Sequence, residues 1–132
     1  MKSTFKDIAR QLVEEKPGRD LNVIFGGGRD FLGASIKEEE VRVHFKGGSE
    51  KTCNRTDKKN LVEQYLSQFD KKTKAYYVKN TAEMISLNYD EVDHVLGLFA
   101  NNHLSYESLR NKESDGEPSL SEMVKAAIKI LD

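Results

Sequence analysis

Val92-Asp93-His94-Val95-Leu96-Gly97-Leu98-Phe99-Ala100 is apolar almost without interruption from Val95 onward. A strand without alternation leaves no face for water, as in a parallel sheet covered by helices on both sides. Two other short runs read as strands. Leu21-Asn22-Val23-Ile24-Phe25 is rich in β-branched residues and closes on Gly26-Gly27-Gly28, and Ala75-Tyr76-Tyr77-Val78 follows later.

Helical stripes separate these strands. Phe5, Ile8, Ala9, Leu12 and Val13 fall in steps of three, four, seven and eight, which predicts an amphipathic helix. Thr4 is its expected cap, Asp7 sits in its first turn, and Lys16-Pro17-Gly18 stops it. Asp57 to Phe69 reads as a second helix capped by Asp57, with Leu61, Val62, Tyr65, Leu66 and Phe69 on one face. Thr81 is placed to cap a short helix carrying Met84, Ile85 and Leu87. Ser119-Leu120-Ser121-Glu122 is a capping box ahead of a broad stripe of Leu120, Met123, Val124, Ala127, Ile128 and Leu131.

The order predicts an α/β fold: a short three-strand parallel sheet with right-handed crossover helices. Residues 1–132 form a single segment, with a protruding arm or insertion over about 29–56. That stretch holds one alternating run, Val41, Val43 and Phe45, and is long for a connection inside one compact unit. Three strands are few for a parallel sheet, and the last stripe is still apolar at Leu131. Both features predict a part of something larger.

Composition excludes several classes. Lys and Arg number 21 against 22 Asp and Glu, so no global positive field recruits nucleic acid. No apolar run approaches the ~18–20 residues of a transmembrane segment. The first seven residues lack the apolar core of a signal peptide. The single cysteine, Cys53, excludes an internal disulfide.

The inventory for chemistry is thin. Gly26-Gly27-Gly28-Arg29 follows a strand, where glycines let a backbone approach phosphate and an arginine can clamp it. It lacks the third glycine of a dinucleotide fingerprint, which falls at Phe31, and the Lys-Ser/Thr of a P-loop. Close backbone packing is the better reading. His44, His94 and His103 have no metal-ligand spacing, alone or with Cys53. Glu38-Glu39-Glu40 and Glu117 are oxygen donors of the type a hard cation takes, although a solvated charge run accounts for the triplet. Asn54-Arg55-Thr56 is a glycosylation sequon, with meaning only in a secreted chain. The residues alone present no catalytic constellation.

Several phrases in order are more specific. Asp7-Ile8-Ala9-Arg10-Gln11-Leu12 leads to Asn22-Val23-Ile24-Phe25-Gly26-Gly27-Gly28-Arg29, then Asn60-Leu61-Val62 and Leu96-Gly97-Leu98-Phe99. Tyr106-Glu107 with Arg110, and Glu117-Pro118-Ser119-Leu120-Ser121-Glu122-Met123, complete the series. The chain resembles the middle of alkaline phosphatases, especially the animal type, from about Asp7 to Leu131, with the weakest match from Leu32 to Thr56.

The resemblance implies a segment of an alkaline-phosphatase-like sandwich. It implies a phosphate monoester hydrolase with zinc and magnesium, a homodimer that in animals is extracellular or lipid-anchored at the cell surface. The family's nucleophilic serine lies in an Asp-Ser-Ala segment upstream of this region, and its main metal-binding segment lies downstream. No catalytic or cofactor-binding residue carries over, so the isolated chain is expected to be inactive.

Animal members also resemble one another in a peripheral calcium site. Phe99 matches its carbonyl ligand and Glu117 one of its acids, but Ala100 stands where a second acid belongs. The arm acid is not assignable among Glu38, Glu39 and Glu40. The ligand set is therefore degraded. The alternative reading is a non-catalytic binding or interaction module derived from such an enzyme.

Overall fold

A computed structural model of the chain describes residues 5–36 and 55–132. Three parallel strands form one sheet: β1 (Val23–Gly26), β2 (Ala75–Val78) and β3 (His94–Leu98), in the order β1-β3-β2. Val23 pairs with Val95 and Gly26 with Leu98 on one side of β3; Ala75 pairs with His94 and Val78 with Gly97 on the other. The most apolar strand is thus the central one, and it is buried from Val95 to Leu98.

Helices cover both faces, as the unbroken apolar run requires. Leu96 and Leu98 pack with Val13 of α1 (Ile8–Glu14) and with Leu61, Val62 and Tyr65 of α2 (Leu61–Ser67). Val95 and Phe99 point to the opposite face, against Met84 of α3 (Thr81–Ile85) and Met123 and Ala126 of α4 (Leu120–Leu131). The side-chain period of two sorts neighbouring β3 residues into these two cores. The result is a three-layer α/β/α arrangement, as predicted.

Three caps differ from the sequence reading, each for a local reason. The Asp7 carboxylate itself caps α1 by accepting the Arg10 backbone N–H at 2.9 Å. Asn60 caps α2, accepting the N–H groups of Val62 and Glu63 at 3.1 Å each. Asp57 is held by Arg55 instead. Asn80 caps α3 through the Glu83 N–H at 2.8 Å, while Thr81 lies inside the helix and its hydroxyl donates to the Gly116 carbonyl. Asparagine and aspartate compete closely for this role, so a neighbouring partner decides between them. The capping box of α4 forms as expected: Glu122 N–H donates to Ser119 Oγ and Ser119 N–H donates to Glu122 Oε1, both at 3.1 Å.

Element lengths also change. Phe69 lies beyond α2, edge-on to Tyr65 and stacked on His94 with ring centroids 4.5 Å apart. Ile85 ends α3 facing outward, and Leu87 lies past it. Gly26 belongs to β1, and a single turn of 3-10 helix, Arg29–Leu32, follows Gly28. Thr4, the expected Val41–Phe45 strand, Glu38 to Glu40, His44, Cys53 and Asn54 lie outside the described residues.

Candidate functional site at the carboxyl end of the sheet

In open parallel sheets, ligands collect beyond the carboxyl ends of the strands. Here that end joins the Gly26-Gly27-Gly28-Arg29 turn to the chain leaving β3. The Phe99 N–H donates to the Gly26 carbonyl at 2.8 Å. Gly28, Arg29 and Asp30 then donate their N–H groups to the carbonyls of Asn102, Ala100 and Asn101, at 2.8, 3.1 and 2.9 Å. A phosphate cradle needs free N–H groups pointing outward, and these three point into the neighbouring chain.

The arginine is committed in the same way. Arg29 is only 2% exposed. Its Nε–H donates to the Leu98 carbonyl at 2.9 Å and its Nη1 to Asn101 Oδ1 at 3.2 Å. Asn101 in turn pairs with the Ile36 backbone through both amide atoms. Burial holds the Arg29 guanidinium below the usual arginine range. The glycines serve the same close approach. A Cβ at Gly27 would lie 2.3 Å from the Asn102 carbonyl oxygen, and Gly28 has φ +88°, in the left-handed region. The turn fastens two strand ends together.

The loop from Asn101 to Pro118 leaves the same end of the sheet. Phe99 packs its ring 5.7 Å from that of Phe25. Ser105 donates its N–H to Glu117 Oε2 at 2.9 Å and its hydroxyl to Glu117 Oε1 at 3.2 Å. Both carboxylate oxygens of Glu117 therefore already accept. Arg110 donates to the Glu117 carbonyl at 3.0 Å and makes a two-bond fork with Glu107. Ala100, buried at the position between, brings no oxygen. A hard cation would have to displace these hydrogen bonds from Glu117, so the donor set does not fit calcium.

The other sequence candidates do not converge. His94 Nδ1 lies 3.0 Å from the Leu21 carbonyl oxygen, and His103 is exposed. Among the described residues, no three His, Cys, Asp or Glu side chains gather as a metal ion would need. These residues do not fit a zinc or magnesium centre.

Sequence reasoning missed Arg55, which appeared there only as part of a sequon. Its guanidinium forks onto Asp57 at 2.9 and 2.6 Å, bonds Asp7 at 2.8 and 3.2 Å, and donates to the Phe31 carbonyl at 2.9 Å. Those bonds raise it further above the arginine range. The Arg-x-Asp spacing was a local hint; the partnership with Asp7 was not visible. Arg55 borders a cavity of about 650 Å³ lined also by Ile8, Leu12, Phe31 and Leu32. Ile8, expected in the core, is 84% exposed there.

The alkaline phosphatase family model matches residues 1–132. The chain is 41% identical over 127 residues to alkaline phosphatase 4 of Drosophila melanogaster, covering 96% of this chain and 21% of that protein. It is 44% identical over 126 residues to the alkaline phosphatase of Gadus morhua, covering 96% and 25%. A membrane-bound alkaline phosphatase of Bombyx mori is 38% identical over 127 residues, covering 95% and 21%. The crystal structure of Thermus thermophilus alkaline phosphatase superposes with a TM-score of 0.63 at 28% identity, over 94% of this chain and 20% of that one. The chain thus spans about a fifth to a quarter of the length of these relatives. Among the described residues, no helix is long and apolar enough to cross a membrane.

Proposed function

The chain belongs to the alkaline phosphatase family, and from that premise we propose that it supplies framework, not reacting groups, to the hydrolysis of phosphate monoesters. One observation carries this reading. The N–H groups of Gly28, Arg29 and Asp30 and the Arg29 guanidinium all bond residues 98–102. The three backbone N–H groups are already paired, and the guanidinium, bonded through Nε and Nη1, is buried away from solvent. Among the described residues no side chains gather into a donor set for paired zinc or for magnesium, which in this family's chemistry polarise the phosphoryl group and activate the nucleophile. The role of these residues is to fix the carboxyl ends of β1 and β3, so that groups from other polypeptide meet a rigid wall.

Within this reading the active unit is a homodimer, extracellular or lipid-anchored at the cell surface. The peripheral calcium position at Phe99 and Glu117 is degraded. The isolated 132-residue chain is expected to give no turnover of an aryl phosphate at alkaline pH with zinc and magnesium supplied. Turnover that a chelator abolishes and that persists through repeated purification overturns the reading.

A further inference from the structure

We propose that the loop over residues 101–118 is closed by donors of this chain, Ser105 and Arg110, and that no calcium ion takes part in it. The peripheral calcium position implied by the resemblance to animal alkaline phosphatases has become a hydrogen-bonded lock. The inference concerns this loop alone and does not rest on the framework reading.

A protein calcium site gathers about six to eight oxygens, and its affinity rises with the number of carboxylates among them. Here the carboxylates around Arg110 already have donors. Glu117 accepts the Ser105 N–H through Oε2 at 2.9 Å and the Ser105 hydroxyl through Oε1 at 3.2 Å. Glu107 accepts Arg110 Nε–H through Oε2 at 2.8 Å and Nη2 through Oε1 at 3.1 Å. Glu122 Oε1 accepts the Ser119 N–H at 3.1 Å and lies 3.9 Å from Arg110 Nη1. Ala100 brings no side-chain oxygen, and its carbonyl accepts the Arg29 N–H at 3.1 Å. Positive charge is also in place. Arg110, its side chain only 10% exposed, donates Nη1 to the Glu117 carbonyl at 3.0 Å. A dication at Glu117 would meet that guanidinium as a like charge.

The same bonds account for closure. Ser105 and Glu117 are twelve positions apart, so their paired bonds tie the two limbs of the loop together. Arg110 holds the middle of the loop to the same residue, seven positions away. From outside, Thr81 donates both its N–H and its hydroxyl to the Gly116 carbonyl at 2.9 Å, and Ala82 donates its N–H to the Ser114 carbonyl at 2.8 Å. The first turn of α3 thus clamps the segment that carries Glu117, and the capping box of α4 begins at Ser119 just beyond it.

The test follows hydrogen exchange of the Ser105 backbone N–H in the 132-residue chain, with the Val95 N–H, bonded to the Asn22 carbonyl at 2.8 Å, as the reference for the sheet. One sample holds calcium chloride at about 5 mM, above the dissociation constants of weak extracellular calcium modules. The other holds a chelator and sodium chloride to the same ionic strength. Ser105 is expected to be protected, with one exchange rate and one melting temperature in both. Glu117→Gln is expected to speed exchange at Ser105 about tenfold and leave Val95 unchanged, since it opens the loop and not the sheet. Ser105→Ala, which removes only the hydroxyl donor, speeds it less.

Calcium that changes the Ser105 rate overturns the proposal, because the Glu117 oxygens have then turned to the ion. So does a calcium-dependent rise in melting temperature that Glu117→Gln abolishes, as linkage to an ion at this position requires. A rise that persists in Glu117→Gln with the Ser105 rate unmoved places the ion elsewhere and supports the lock. Loss of protection at Ser105 and Val95 alike in chelator also overturns it, since the chain then does not close itself. Substrate, zinc and magnesium are absent throughout, so a catalytically active chain would sink the framework reading and leave this result standing.

Discussion

Arg29 donates its Nε–H to the carbonyl oxygen of Leu98 at 2.9 Å, across 69 positions of sequence, and so joins the turn after β1 to the end of β3. The contact is buried and made by a group whose planar fork also reaches Asn101. Replacing Arg29 by Met is expected to lower unfolding free energy by about 2 kcal/mol, the usual scale for a charged hydrogen bond with its acceptor left unmet. Arg29→Lys recovers little, because an ammonium cannot span both acceptors. Urea denaturation of the two variants checks this; a lysine variant as stable as the parent sinks it.

Adjacent glycines are expected to respond oppositely to the same change. A methyl at Gly27 meets the Asn102 carbonyl oxygen at 2.3 Å, whereas one at Gly26 meets nothing within 4 Å. Gly27→Ala should therefore cost about 1–3 kcal/mol from overpacking. Gly26→Ala, at the last position of β1, should be neutral or slightly stabilising. Equal stabilities of the two variants in urea melts contradict this geometry.

Glu14 ties α1 to α2. Arg10 donates to both its carboxylate oxygens at 3.1 Å, Lys6 lies at 2.9 Å and Gln64 Nε2 donates at 2.9 Å. Led by the Arg10 bonds, these hold its pKa down at about 2 against an ordinary 4.5. Asp57 sits at about 2 against 3.8, chiefly through Arg55. Because the folded values lie below the unfolded ones, the unfolded chain binds more protons in that interval. Stability is complete above about pH 4.5 and falls as pH drops toward 2. The gap between parent and Glu14→Gln should be widest above pH 4.5 and close in acid; thermal melts from pH 2 to 7 that keep a constant gap refute it.

Tyr65 and Tyr77 bury hydroxyls with no hydrogen-bond partner among the described residues. Burial pushes the Tyr65 phenol up to about 12. Tyr65→Phe keeps the ring against Phe69 and removes the orphan group, so it is expected to stabilise by about 1 kcal/mol. A loss of stability in urea would show that the hydroxyl has a partner in solution.

Layers and strand polarity were legible in sequence because one apolar run, Val95 to Ala100, admits burial on both sides only. The capping box was legible because both its partners lie within three residues. Helix starts at Asp7, Asn60 and Asn80 were missed because Thr4, Asp57 and Thr81 are also residues of capping type. For Asp57, the pairing with Arg55 decided the matter. At the candidate site, the glycines and arginine could be read as geometry, but their partners at 98–102 lie some seventy residues away. Arg55 was invisible for the same reason: its second carboxylate, Asp7, is 48 positions distant.

The central strand is the last of the three to be made. β1 and β2 are not paired with each other, and among the described residues each pairs only with β3. A growing chain that has passed Val78 but not Leu98 thus holds two unmated ribbons with a slot between them. During synthesis this sheet should stay protease-sensitive until the slot is filled, and then gain resistance in one step. Ribosome-stalled chains ending on either side of β3 would display that jump.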